Sequence, residues 1–259
     1  MKSIKSIYYH RPTPTQLERT IKWLQSNGYR FISCQELYDC VTNKHPIKEK
    51  LVFLSFDDAW QSNLLLIPVL EKYNVPVTIF TPIEPIESGN YWWEFVPKEE
   101  CEHFKTLGYD EFCGRIENLK QQQKLTRSCM AEDEIICLAN HPLVSIQSHT
   151  LTHPILTSQP KDLMEKEIKD SKERLENLIG QSVDFFSYPN GSFSKREVEC
   201  ARSVYKMAFT TELRHITRND DILALPRIEV TGLYFRDKLK FYRVWPVLRK
   251  IGCWLLRRK

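Results

Sequence analysis

The chain has 259 residues, 42% of them apolar and 27% charged, with a net charge of +4. That is enough to bury one sizeable core, and it excludes disordered and collagen-like classes. No stretch approaches the roughly 20 apolar residues of a membrane span.

The opening residues offer no apolar leader of about 7–15 residues and no small-residue cleavage site. They read instead as a first strand over residues 4–10, so a cytoplasmic protein without a cleaved signal is expected. The pattern then predicts a helix over 15–27 stopped by Gly28, a strand over 29–33 and a helix over 35–41. Residues 51–56 are almost unbroken apolar, the mark of a strand buried on both faces. A helix over 62–73 and a strand over 77–80 follow. This alternation with short connections predicts a parallel sheet or barrel.

The pattern breaks over about 82–130, which reads as a largely helical insertion carrying Trp92 and Trp93. It resumes with a helix over 132–140, strands over 143–147, 183–187 and 207–211, and helices over 161–179 and 195–204. The expected fold is α/β, a distorted (β/α) barrel of about seven strands over residues 1–235. The eight cysteines form no CxxC pair and read as reduced thiols.

Chemistry is concentrated at the carboxyl ends of the predicted strands, where barrels of this kind place their sites. Asp57-Asp58 closes one strand, and Ser148-His149-Thr150-Leu151-Thr152-His153-Pro154 follows another. Two imidazoles and one carboxylate make a facial ligand set for a divalent metal such as zinc, leaving the second carboxylate free to take a proton from water. Either motif alone has a bland reading, a helix cap or a surface pair. Their convergence at one mouth favours the metal, which relieves the repulsion between two neighbouring carboxylates. One turn of helix or a tight loop would put both histidines on the same side.

A third strand ends in Tyr188-Pro189-Asn190-Gly191, a rigid turn able to aim backbone N–H groups at a developing oxyanion. Trp92 and Trp93 read equally well as insertion core or as a wall for sugar rings. Arg227, in Leu225-Pro226-Arg227-Ile228, is a surface residue in the bland reading and a buried partner that orients Asp57 in the functional one.

These residues resemble the polysaccharide deacetylases of the NodB-homology type, carbohydrate esterase family four. Ser55-Phe56-Asp57-Asp58-Ala59 is similar to the family's Thr/Ser-Phe-Asp-Asp-Gly motif. His149-Thr150-Leu151-Thr152-His153-Pro154 matches its His-Ser/Thr-x-x-His-Pro motif, and Ser187-Tyr188-Pro189-Asn190-Gly191 partly matches its Arg-x-Pro loop. The resemblance runs from residue 9 to residue 227. It implies a metal, Zn²⁺ first with Co²⁺, Ni²⁺ or Mg²⁺ as alternatives, held by Asp58, His149 and His153. It also implies Asp57 as base, the Tyr188 backbone N–H as oxyanion donor, and removal of N- or O-linked acetyl groups from a saccharide. Residues 188–191 and Trp93 are then the substrate-binding set.

Three departures follow. Ala59 stands for Gly, tolerable if φ there is negative. Ser187 stands for Arg, which makes Arg227 the substitute. No Leu-x-His supplies a general acid near the last strands, leaving His10 and His215, of which His10 at a strand end is better placed.

Residues 236–259 carry nine Lys/Arg against Asp237 alone, a local +8 that leaves the body at −4. No nucleic-acid footprint remains on that body. As a helix the tail is amphipathic and basic, which suits peripheral contact with an anionic membrane at the cytoplasmic face, and equally a last helix packed on the barrel. The expected partner is an acetylated saccharide, of the cell envelope or a precursor. The competing reading is an inactive carbohydrate-binding scaffold that keeps the metal cradle. A different barrel metallohydrolase ranks last, because no basic phosphate clamp is visible.

Overall fold

The computed structural model describes residues 4–42, 49–217 and 219–232. In chain order the elements are β1 (Lys5–Tyr9), α1 (Pro14–Ser26), β2 (Tyr29–Ile32), α2 (Cys34–Val41), β3 (Lys50–Asp57), α3 (Ile67–Tyr73) and β4 (Val77–Thr81). After these come α4 (Ile83–Ser88), α5 (Cys101–Phe104), α6 (Tyr109–Gln122), α7 (Glu132–Ala139) and β5 (Val144–Ser148). The chain continues with α8 (Lys161–Ile179), β6 (Phe185–Ser187), α9 (Lys195–Arg202), β7 (Met207–Phe209) and β8 (Ile228–Glu229). The predicted helix over 62–73 is split. A 3₁₀ segment, Gln61–Leu66, precedes α3, because Pro68 lacks an N–H and is tolerated only in a helix's first turn.

The strands form one parallel sheet in the order β7-β6-β5-β4-β3-β1-β8. β3 is forked: β1 takes one edge, while β2 pairs with Lys50–Phe53 and β4 with Ser55–Asp57 on the other. The two ends of the sheet meet through a short seam. Leu225 pairs with Phe209 of β7, and three residues later β8 pairs with β1. The sheet thereby curls into the expected distorted barrel, with Pro226 and Arg227 at the closure.

Alternation along the strands sorts side chains between two cores. Val52, Leu54 and Phe56 of β3, Ile7 and Tyr9 of β1 and Ile79 of β4 face outward and pack with Leu17, Ile21 and Leu24 of α1 and Met164, Ile168 and Leu175 of α8. The alternate residues Leu51, Phe53, Phe80, Phe185, Met207 and Phe209 fill the barrel. Each fully buried side chain of this size is worth about 1.5–3 kcal/mol. The same alternation carries Ser55 and Asp57 into the barrel above Phe53, and neither has exposed surface to speak of. A polar floor is thus laid on an aromatic plug.

Between β4 and α7 lies the helical insertion, α4 to α6, with its own small core of Trp92, Val96, Phe104, Leu107 and Ile116. The seven cysteines among the described residues are free. No helix among those residues is long and apolar enough to cross a membrane. The basic segment 236–259 lies outside the described residues, as does Cys253.

Candidate active site

Arg227 is fully buried, and its five N–H donors are all placed. Its Nη1 and Nη2 bind Asp57 Oδ1 and Oδ2 at 2.6 and 2.7 Å, a bidentate pair. The remaining donors go to Ser55 Oγ (3.0 Å), Ser187 Oγ (2.6 Å) and the Thr210 carbonyl (3.2 Å). The guanidinium lies over the Tyr8, Phe80 and Phe209 rings at 4.5, 5.2 and 5.7 Å. Ser187 is small enough to leave this space and polar enough to bind what fills it.

Asp58, one residue on, turns the other way. Its φ of +76° breaks the strand and brings Oδ1 to 3.5 Å from His149 Nε2 and 3.3 Å from His153 Nε2. The candidate ligand atoms of the three residues all lie within 4.8 Å of one another. Trp60 Nε1 donates to Asp58 Oδ2 at 3.0 Å, which leaves Oδ1 to face the histidines. His149 Nδ1 donates to the Ser187 carbonyl at 2.7 Å, so its Nε2 carries the lone pair. The loop between the histidines is fixed from α8. Glu167 accepts the Leu151 and Thr152 N–H groups at 2.8 and 2.9 Å and the Thr152 hydroxyl at 2.7 Å.

These residues fit a divalent cation. Asp58 Oδ1 is buried without a hydrogen-bond partner, an atom that costs stability unless something electropositive meets it. Burial opposes ionisation of Asp58, but the three histidines around it, His153 first, outweigh that and hold its carboxyl well below the usual range. Burial, with His153 alongside, pushes His149 from 6.5 down to about 4. Both shifts favour the deprotonated forms a cation needs.

The His149 shift has a measurable sign. Between pH 6.5 and 4 the unfolded chain binds more protons at this residue than the folded one. The associated stability, about 3 kcal/mol, is therefore present above pH 6.5 and lost as pH falls towards 4. Urea unfolding of metal-stripped protein at pH 7 and 4.5 is expected to show this loss, and His149→Gln to show a shallower one. Parallel losses in the two proteins would remove His149 as the source.

The polar centre opens into a cleft of about 480 Å³ lined by His10, Trp60, Trp93, Lys105, Asn190 and Glu229 besides the centre itself. Comparison with known proteins places this arrangement. The family described as polysaccharide deacetylase matches residues 44–207, more than half of the chain. The chain belongs to the polysaccharide deacetylase family. It is 28% identical over 231 residues to YxkH of Bacillus subtilis, named for the same family, covering 88% of this chain and 69% of that one. It is 23% identical over 242 residues to a poly-β-1,6-N-acetyl-D-glucosamine N-deacetylase of Staphylococcus aureus, covering 92% and 74%. In fold it is similar to IcaB from Ammonifex degensii (TM-score 0.69, 19% identity, 92% and 96% covered). It is also similar to the Streptococcus pyogenes deacetylase PplD in complex with acetate (TM-score 0.68, 21% identity, 90% and 93% covered).

In this deacetylase the residues expected at the site divide into two groups. Asp57, Asp58, His149, His153, His10, Trp93 and Asn190 line the cleft, and Arg227 lies beneath it. His10 is 43% exposed in its side chain, with Nε2 4.0 Å from Asp58 Oδ2 and Nδ1 3.9 Å from Glu229. His215 is instead within 3.3 Å of Lys5 Nζ, at the far end of β1, so it is out of reach. Trp93 stacks on Tyr91 at 4.6 Å and meets the His153 ring edge-on at 4.7 Å, while Trp92, most of it buried in the insertion's core, reaches the cleft wall with its remaining edge.

Tyr188 does not stand where its assigned role requires. Its N–H donates to the Phe209 carbonyl at 3.0 Å, its hydroxyl to the Leu223 carbonyl at 2.9 Å, and it has no exposed surface. A parallel strand partner consumes the N–H, which sequence does not reveal. Pro189 is buried too, and of the four turn residues only Asn190 lines the cleft. Gly191 is there for space: at its φ of +67° a Cβ would stand 2.0 Å from Thr211 Oγ1 and 2.7 Å from the Thr211 backbone nitrogen. Gly191→Ala is expected to cost about 2–4 kcal/mol, from overpacking and a left-handed alanine together. A thermal midpoint within about 2 °C of wild type would contradict it.

Ala59 also differs from expectation. Its φ is +57°, not negative, so the residue after Asp58 keeps the left-handed turn without glycine. Sequence reasoning missed Trp60 and Glu167 as supports of the ligands. Trp60 lies next to the Asp pair, but its hydrogen bond needs the turn at Asp58, and Glu167 reads simply as one more charge on a long helix.

Proposed function

We propose that this deacetylase hydrolyses N-acetyl groups of a hexosamine polymer, with Asp58, His149 and His153 holding a divalent cation, zinc by donor set. The observation that carries the reading is the division of labour between adjacent carboxylates. Asp58 faces two imidazoles, while Asp57, one residue away, is tied to Arg227.

A cation in the cradle would supply Lewis-acid polarisation of a carbonyl and acidify a water toward neutrality. Asp57 accepts a proton from the attacking water. The Arg227 fork occupies one side of each Asp57 oxygen and leaves a second lone pair on each. His10 follows β1, the strand beside β3, with Nε2 4.0 Å from Asp58 Oδ2, placed to donate a proton to the leaving amine as the C–N bond breaks, giving acetate and the free amino sugar. The Asn190 N–H, which has no hydrogen bond among the described residues, replaces that of Tyr188 as the donor to the developing oxyanion. Trp93 offers an aromatic face at the cleft for a sugar ring.

The relatives' named substrate, poly-β-1,6-N-acetyl-D-glucosamine, motivates the choice of an N-acetyl group. The basic segment 236–259 is retained in this proposal as a peripheral contact with anionic membrane, on composition alone. The test is acetate release from an N-acetylated β-1,6-glucosamine oligomer by metal-stripped protein, with and without Zn²⁺ or Co²⁺. Release is expected only with metal, and to fall about 10²–10⁴-fold in His10→Ala. Metal bound at one ion per chain with no release from N- or O-acetylated saccharides would overturn the reading.

A further inference from the structure

Six non-glycine residues among those described have positive φ, and five of them stand at the mouth of the barrel. Four belong to the two ligand-bearing turns: Asp58 (+76°), Ala59 (+57°), Thr150 (+73°) and His153 (+56°). Each such residue costs about 1–2 kcal/mol and persists only when its surroundings hold it.

Glu167 of α8 holds the middle of the histidine loop, but the carbonyls of all four strained residues are held by one stretch of chain. The Asp58 carbonyl accepts the Tyr91 hydroxyl at 2.6 Å, and the Ala59 carbonyl accepts the Met130 N–H at 2.9 Å. The Thr150 carbonyl accepts the Ile83 N–H at 3.2 Å, and the His153 carbonyl accepts Trp92 Nε1 at 3.0 Å. All four strained residues are thus capped by donors from residues 83–130, the helical insertion. Two of those donors are adjacent side chains, Tyr91 and Trp92, and each grips a different ligand residue by its backbone. A third consecutive aromatic, Trp93, lies against the His153 ring, and Tyr91 packs on Trp60 at 4.2 Å, whose indole fixes Asp58 Oδ2.

We propose that the insertion is the template of the metal centre, with Tyr91 and Trp92 as positioning residues that set the geometry of Asp58 and His153. This rests on the cation reading of the cradle. The donors are buried, so their bonds are made away from competing water, and the further donor to the Asp58 and Ala59 carbonyls, the Cys129 thiol at 3.7 and 3.4 Å, belongs to the same stretch. By linkage, a cation and an ordered insertion stabilise each other.

Co²⁺ titration of the metal-stripped full chain, read by its visible absorption, tests this without reference to turnover. Tyr91→Phe removes one hydroxyl, and Trp92→Phe removes one N–H with a modest loss of packing. Each is expected to weaken Co²⁺ binding about 10–100-fold and to alter the absorption bands. Phe112→Leu, which disturbs Trp92's edge-on neighbour in the same small core, controls for loosened packing and is expected to bind Co²⁺ as wild type does. Wild-type affinity and bands in both Tyr91→Phe and Trp92→Phe would overturn the proposal. So would an equal loss in Phe112→Leu. Failure of wild type to bind Co²⁺ would overturn the cation reading and the template with it, whereas binding without acetate release bears on the reaction alone.

Discussion

Arg227→Leu is expected to lose about 3–5 kcal/mol of stability, a large share of the roughly 5–15 kcal/mol that holds a domain folded. The loss arises because Asp57 stays behind in the barrel, charged and stripped of a bidentate partner, together with two serine hydroxyls that lose their donor. Hydrophobic gain from leucine does not offset an unpaired buried carboxylate. The double variant Asp57→Leu/Arg227→Leu, which removes both charges onto an aromatic floor, is expected to recover more than half of that loss while releasing no acetate. Urea unfolding of the two single variants and the double gives the coupling directly. Additive losses would mean that Arg227 contributes through packing and not through the pair.

Asp57→Asn is expected to lower acetate release by about 10³-fold or more while leaving Co²⁺ affinity within a few-fold of wild type. The asymmetry follows from the one-residue division of the site. The substituted amide still fills the space under the cleft, but it cannot take a proton, and Asp58 and the histidines are untouched. Some stability goes as well, since an amide N–H₂ faces one of the Arg227 nitrogens. The assay is therefore run where the variant is shown to be folded. Retained activity would assign the proton to another group, and lost Co²⁺ binding would place Asp57 among the ligands.

Much of this is legible in sequence because it is local. The apolar run of β3 announces burial on both faces, and alternation alone then puts Asp57 inside the barrel. Asp58, His149 and His153 can be read as one cradle because short motifs at strand ends converge in a parallel barrel. What escapes depends on partners far along the chain. The Tyr188 N–H looks free until Phe209 is placed beside it, and the left-handed turn at Ala59 shows nothing in composition. Tyr91 and Trp92 read as ordinary aromatic bulk, because their value lies in which carbonyls they reach. Arg227 is found by a different route, as the cation needed once Ser187 has taken the place of an arginine. Both His10 and Arg227 fall outside the matched span of the family, residues 44–207, the one just after β1 and the other just before β8, which pair with each other.

That seam also orders events in time. The contact between Asp57 and Arg227 spans 170 residues of sequence, and it forms only when the last short strand closes the sheet. At about 5–20 residues per second, a ribosome needs roughly 10–30 s to deliver Arg227 after Asp57. For that interval the nascent chain comes to carry Asp58, His149 and His153 while Asp57 lacks its guanidinium partner. Closing a loop of this length is slow relative to local contacts. The bidentate pairing of Asp57 is therefore a late contact, and a chain cut anywhere before Arg227 lacks it.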